Sequence, residues 1–89
     1  MTVWPAPVVR FLLGELSPAE TLAAAEDKDP KTKQGQVCEA NFYSGELALL
    51  QGKKNEAIPL FRLAAGDCPK DFFEWEAANA ELKVLGVAP

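Results

Sequence analysis

The side chains best placed to do chemistry are Cys38 and Cys68, thirty positions apart, and the carboxylates Glu39 and Glu46, seven apart. A nucleophilic cysteine needs a base or a cation beside it to be held as a thiolate, and Cys38 is followed by Glu39, whose charge pushes a thiol the other way. The chain has no histidine, so the commonest general base and the commonest neutral metal ligand are missing together. Two cysteines without a second pair cannot make a four-ligand structural zinc site, and no CxxC redox motif occurs. Glu39 and Glu46 share a helix face, but at about 1.5 Å rise per residue they stand roughly 10 Å apart along the axis, so only a bound substrate could make them an acid and base pair. Solvated glutamates are the plainer reading, and no enzyme activity, cofactor or metal is expected.

The totals point the same way. Thirteen acidic side chains against nine basic ones, for a net charge of −4, create no field that would hold a nucleic-acid backbone. No apolar run approaches the roughly 20 residues of a membrane span, and the start lacks the charged, apolar and small-residue regions of a signal peptide. With 89 residues, 48% of them apolar, the chain is expected to form one domain over 1–89 around one core.

No segment alternates with period two, so the expected class is all-α. "MTVWPAP" reads as an extended lead-in, because each proline fixes its own φ and restricts its predecessor. A first helix is expected from Pro7 or Val8 through "VVRFLLGEL", apolar around most of its circumference and so either contacted from several sides or awaiting a neighbour. Ser17, Pro18 and Glu20 form a capping box that opens a second helix, and the pair makes an N-terminal hairpin over 7–27. Asp29 and Pro30 open a long third helix running to about Gln51, with Gly35 loosening its first turns. Gly52 marks the turn, a fourth helix covers Asn55 to Cys68 with Ala57, Phe61, Ala64 and Cys68 as one stripe, and 30–69 is thus a second hairpin. A capping helix over 70–86 carries two apolar stripes: Phe72, Trp75, Leu82 and Leu85 on one face, Phe73, Ala77, Ala80 and Val84 on another. The second stripe either wraps into the core or is an exposed contact surface for a partner protein, a peptide or a second copy.

Hairpin geometry bears on the cysteines. With the turn at Lys53, Cys38 lies fifteen residues before it and Cys68 fifteen after, which puts them level at the open end. Disulfide Cα atoms must come within about 7 Å, while packed helix axes lie roughly 8 to 10 Å apart, so both side chains must face inward. Two outcomes stay open: a disulfide, which would imply export from the cytosol, or two separate buried thiols.

Gly45, Gly52, Ala57, Phe61, Ala64 and Pro69 stand at the spacings of the tetratricopeptide repeat, which this hairpin resembles. Trp75, Leu82 and Gly86 start a second unit, although Asn41, Ser44 and Asn79 depart from the pattern. The stretches "WPAPVVRFLLGELSPAE", "CEANFYSGELALLQG" and "DCPKDFFEWEAANAELKVLG" also resemble the C-terminal part of exported bacterial repeat proteins in the style of the NlpI lipoproteins. That likeness implies a periplasmic protein, the alternative being cytoplasmic, with a signal peptide and earlier repeats preceding this stretch and Ala88-Pro89 as its natural end. The family resemblance implies a fragment of a right-handed superhelix of about five helices and a non-catalytic protein-binding scaffold. Its inner side would show Glu39, Phe42, Glu46 and Leu49 from the third helix and Phe73, Glu76, Ala80 and Lys83 from the fifth. Those side chains favour a ligand with basic and apolar groups. Tyr43 stands where relatives that clamp a peptide carboxylate carry asparagine, so no such clamp is expected. The alternative is an assembly element that uses the second face of the last helix to form a homodimer.

Overall fold

A computed structural model describes residues 4–87; the calls made for Met1–Val3 and for Ala88-Pro89 lie outside the described residues. The chain folds as five helices, α1 Ala6–Leu12, α2 Pro18–Ala24, α3 Pro30–Leu50, α4 Lys54–Asp67 and α5 Phe73–Val84, with no strand among the described residues. The all-α class stands.

Local chemistry explains where α2 and α3 start. Ser17 Oγ accepts from the Glu20 amide at 3.1 Å while Glu20 Oε1 accepts from the Ser17 amide at 2.9 Å, closing the capping box. Asp29 accepts from both the amide and the hydroxyl of Thr32, at 3.1 and 2.6 Å, and opens α3. These bonds hold the Asp29 carboxyl below its ordinary value.

Three boundaries differ from expectation. The first helix does not run on through Leu16: it stops at Leu12, because Gly14 turns left-handed at φ +81°. There the amides of Gly14 and Glu15 close back on the carbonyls of Phe11 and Arg10 at 2.9 and 2.8 Å. The lead-in is also shorter than expected, since α1 begins at Ala6, ahead of Pro7. The last helix starts at Phe73 instead of Lys70, since a turn closed by the Phe72 amide on the Pro69 carbonyl at 3.0 Å comes first. Phe72 therefore stands before the helix. Its ring instead lies against Gly35, where an added Cβ would sit 3.0 Å from it, so Gly35 is a packing position for an aromatic ring within α3.

α3 is the central element. It packs chiefly on α4 and also touches α1, α2 and α5, which is why its buried residues, from Gly35 through Phe42 to Ala48, are spread around it instead of forming one stripe. Gly45 leaves room on α3 for the Phe61 ring of α4: a Cβ there would lie 2.9 Å from that ring. The core comprises Cys38, Phe42, Ala48, Ala57, Phe61, Ala64, Cys68, Ala78 and Leu82. At the open end of the hairpin Cys38 and Cys68 are joined by a disulfide, with Cα atoms 4.9 Å apart. Beside it the Gln34 amide donates to the Asp67 carbonyl at 2.7 Å. The thiols are thus neither free nor separate among the described residues.

On α1 only one face is buried, through Pro7, Val8 and Phe11, while Val9, Leu12 and Leu13 are exposed. On α5 the inner face is Ala78 and Leu82, and the second stripe is not core: Phe73 is 67% exposed and Val84 81%. No helix among the described residues is long and apolar enough to cross a membrane.

Candidate functional site

An open groove of about 580 Å³ runs over α1, α3 and α5, lined by Leu12, Phe42, Tyr43, Glu46, Phe73, Ala77, Ala80 and Glu81. Its floor is aromatic. The Phe42 ring, almost fully buried, meets the rings of Tyr43 and Phe73 edge-on at 5.0 and 6.2 Å and the core ring of Phe61 at 6.0 Å, so the groove is anchored directly on the core.

The polar lining is acidic. Glu46 and Glu81, brought together by α3 and α5, share a hydrogen bond. Burial, then that bond, then the charge of Glu81 raise the Glu46 carboxyl to about 7. At neutral pH the Glu46 carboxyl is therefore only about half ionised. Tyr43 donates its hydroxyl to Glu74 Oε2 at 3.1 Å. Burial and the carboxylates of Glu74, Glu39 and Glu46 push the phenol up to about 12. Glu39 accepts from the Trp4 indole N–H at 3.1 Å; burial raises its carboxyl, that bond lowers it and the charge of Glu74 raises it again. Every buried side-chain nitrogen and oxygen among the described residues has a partner, so the acids are built into the fold.

Two titrations follow. Tyr43 is the only tyrosine in the chain, so alkaline absorbance titration reads it directly, with a midpoint expected near 12 in the folded protein against about 10 once unfolded. Because its folded value is raised, its contribution to stability is whole below pH 10 and is lost as pH rises toward 12. Glu46 obeys the same sign. Its contribution is whole below about 4.5 and is lost as pH rises to about 7. Glu46→Gln keeps the bond without the proton, so it should leave a thermal melt at pH 4.5 unchanged and stabilise the protein at pH 8 by roughly 1 kcal/mol, a value discounted for partial exposure.

Of the expected inner-side residues, Phe42, Glu46, Phe73 and Ala80 line the groove. Glu39 is tied to Trp4, Leu49 packs against the core, and Glu76 and Lys83 are exposed outside the lining. Glu39 and Glu46 do not pair with each other; the partner of Glu46 is Glu81. Leu12, Tyr43, Ala77 and Glu81 complete the lining unforeseen. Ala77 was legible as part of the second apolar stripe. Glu81, which follows Ala80 on the same helix, could have been found from that stripe, whereas nothing local connects Leu12 to Phe42 thirty positions later. Among the described residues no group of three or more acids or cysteines is arranged to hold a metal. No family model matches this chain, and no solved structure matches it.

Proposed function

We propose that this chain is a non-catalytic protein-binding module of the tetratricopeptide kind, working in the bacterial periplasm and holding a partner segment in the groove over α1, α3 and α5. One observation carries the reading: residues from three helices make a single open groove that is apolar at its floor and acidic at its wall, with Phe73 standing 67% exposed in it. An aromatic ring left in water on a rigid helix is the kind of anchor that protein partners cover. The Cys38–Cys68 bond supports an oxidising compartment.

A photo-crosslinking residue placed at Phe73 tests this in the native extract, with the same residue at Leu63 as control, since Leu63 is also an exposed apolar residue but on α4 outside the groove. Discrete adducts from position 73 and none from 63 are expected. Identical adducts from both positions would remove the groove from consideration.

Val84 favours a second reading. It is 81% exposed and lies outside the groove, continuing the stripe of Phe73, Ala77 and Ala80. A homodimer formed through this face would show as concentration-dependent sedimentation abolished by Val84→Glu, and a monomer at all concentrations would exclude it.

A further inference from the structure

The groove holds a chemical asymmetry that narrows its ligand. Its ionisable lining residues are Glu46, Glu81 and Tyr43, and neither a lysine nor an arginine is among them. The Tyr43 proton is committed to Glu74, so what faces an incoming ligand is chiefly hydrogen-bond acceptors. Of the basic residues near α1, Arg10 is engaged with Glu15 at 3.2 Å. Two carboxyls in contact cannot both ionise cheaply in a partly desolvated wall, and in the empty groove a proton fills the place of a cation.

We propose that the groove seats a lysine or arginine side chain of an amphipathic partner segment, with the cation between Glu46 and Glu81 and the segment's apolar residues over Phe73, Ala77 and Leu12. This rests on the docking reading given above and adds the chemistry of the occupant. An ammonium or guanidinium supplies only donors to a wall of acceptors, and a guanidinium can engage both carboxylates at once. The exchange balances: the proton held on Glu46 leaves to solvent, its carboxylate becomes ionised, and the cation takes the proton's place. An anionic ligand meets like charge, and an entirely apolar one leaves the acids desolvated without a partner.

Binding therefore depends on pH. The groups around Glu46 are Tyr43 on its own helix and Glu81 on α5; Glu39 and Glu74 lie further along and act on Tyr43. α1 brings only Leu12 to the lining and α4 brings nothing. With Glu46 titrating near 7, one pH unit below that midpoint weakens a ligand that displaces its proton by about tenfold, and one unit above restores it.

The test begins with phage-displayed random peptides of about a dozen residues, selected at pH 8 on the disulfide-intact chain and counter-selected on Phe73→Ser. Enriched peptides should carry lysine or arginine with apolar residues three or four positions away. An N-acetylated synthetic copy, which removes the terminal amine as a competing cation, should bind about tenfold tighter at pH 8 than at pH 6, and should release close to one proton at pH 6 but only about a tenth of one at pH 8, read by calorimetry in buffers of different ionisation enthalpy. The double variant Glu46→Gln, Glu81→Gln, checked for helicity, should bind without pH dependence and lose the preference for the cation. Peptides that need Phe73 but show no enrichment of basic residues would overturn the cation seat and leave the docking reading standing. Failure to enrich any peptide over Phe73→Ser would overturn both. A dimer that Phe73→Ser disrupts and that the selected peptide does not dissociate would assign the groove to a second copy, and that too overturns the proposal.

Discussion

Phe61→Ala is expected to destabilise the protein by about 3 to 5 kcal/mol, which is most of the stability that a domain of this size has. Phe61 is fully buried and sits at the centre of the stripe formed by Ala57 and Ala64, against Gly45 and near the Phe42 ring. All its immediate small neighbours are alanine or glycine, which cannot extend to fill the space it leaves, so the cavity term adds to the loss of transfer energy. The neighbour at Gly45 makes the prediction sharper. In the wild type, Gly45→Ala puts a Cβ 2.9 Å from a ring that is enclosed on every side. The overpacking costs about 1 to 3 kcal/mol, from which the better helix propensity of alanine recovers up to about 1. In the Phe61→Ala background the clash disappears and only the gain remains. Gly45→Ala should therefore change sign between the two backgrounds, as chemical denaturation of the four proteins of the cycle would show; equal effects in both would mean that the close approach of α3 and α4 is not held by this contact.

The second large effect belongs to the disulfide. Changing both Cys38 and Cys68 to alanine opens a loop of thirty residues and should cost about 3 to 4 kcal/mol through the freed unfolded chain. At about 4 to 8 °C per kcal/mol for so small a domain, the midpoint of thermal unfolding should fall by roughly 12 to 30 °C. The bond closes the end of the hairpin away from the Gly52 turn, so without it α4 is tied to α3 at that end mainly by the bond from Gln34 to the Asp67 carbonyl. Both cysteines are nearly or wholly buried, so a reductant should act at a rate set by opening of the hairpin. Alkylation of the unreduced chain checks the premise, because two labelled thiols would show that the bond is not made.

These two predictions draw on features that were legible to different degrees. The helix starts at Ser17 and Asp29 could be read from four residues each, since a cap is satisfied by atoms within one turn. The stripe of Ala57, Phe61, Ala64 and Cys68 follows from helical periodicity alone, and so does the second stripe on α5, whereas the exposure of Phe73 and Val84 in it was left open and is decided by the tertiary structure. The level of Cys38 and Cys68 followed from counting outward from Lys53, but the count left disulfide and separate thiols equally open. Their side chains had to face each other across an interhelical gap, and the orientation of α3 about its own axis settles that.

The boundaries that were misplaced lie where local chemistry was ambiguous. Gly14 could have been tolerated within a helix or could have ended it, and closure of the Gly14 and Glu15 amides on the preceding turn ended it. Gly35 has the same composition-level meaning as any glycine in a helix; only the arrival of Phe72 from a turn thirty-seven positions later makes it a packing position. The contact of Glu46 with Glu81 was illegible for the same kind of reason, since the two lie thirty-five positions apart on different helices, whereas sequence showed only that Glu39 and Glu46 share a face.

Local interactions thus decide in this chain what is helical, where α2 and α3 begin, and which faces are apolar, because those properties depend on neighbours within one turn. The groove and its acidic wall came from how α1, α3 and α5 lie against one another, and the contact at Gly45 from how α4 lies against α3, because burial and charge coupling act through space between residues that are distant along the chain.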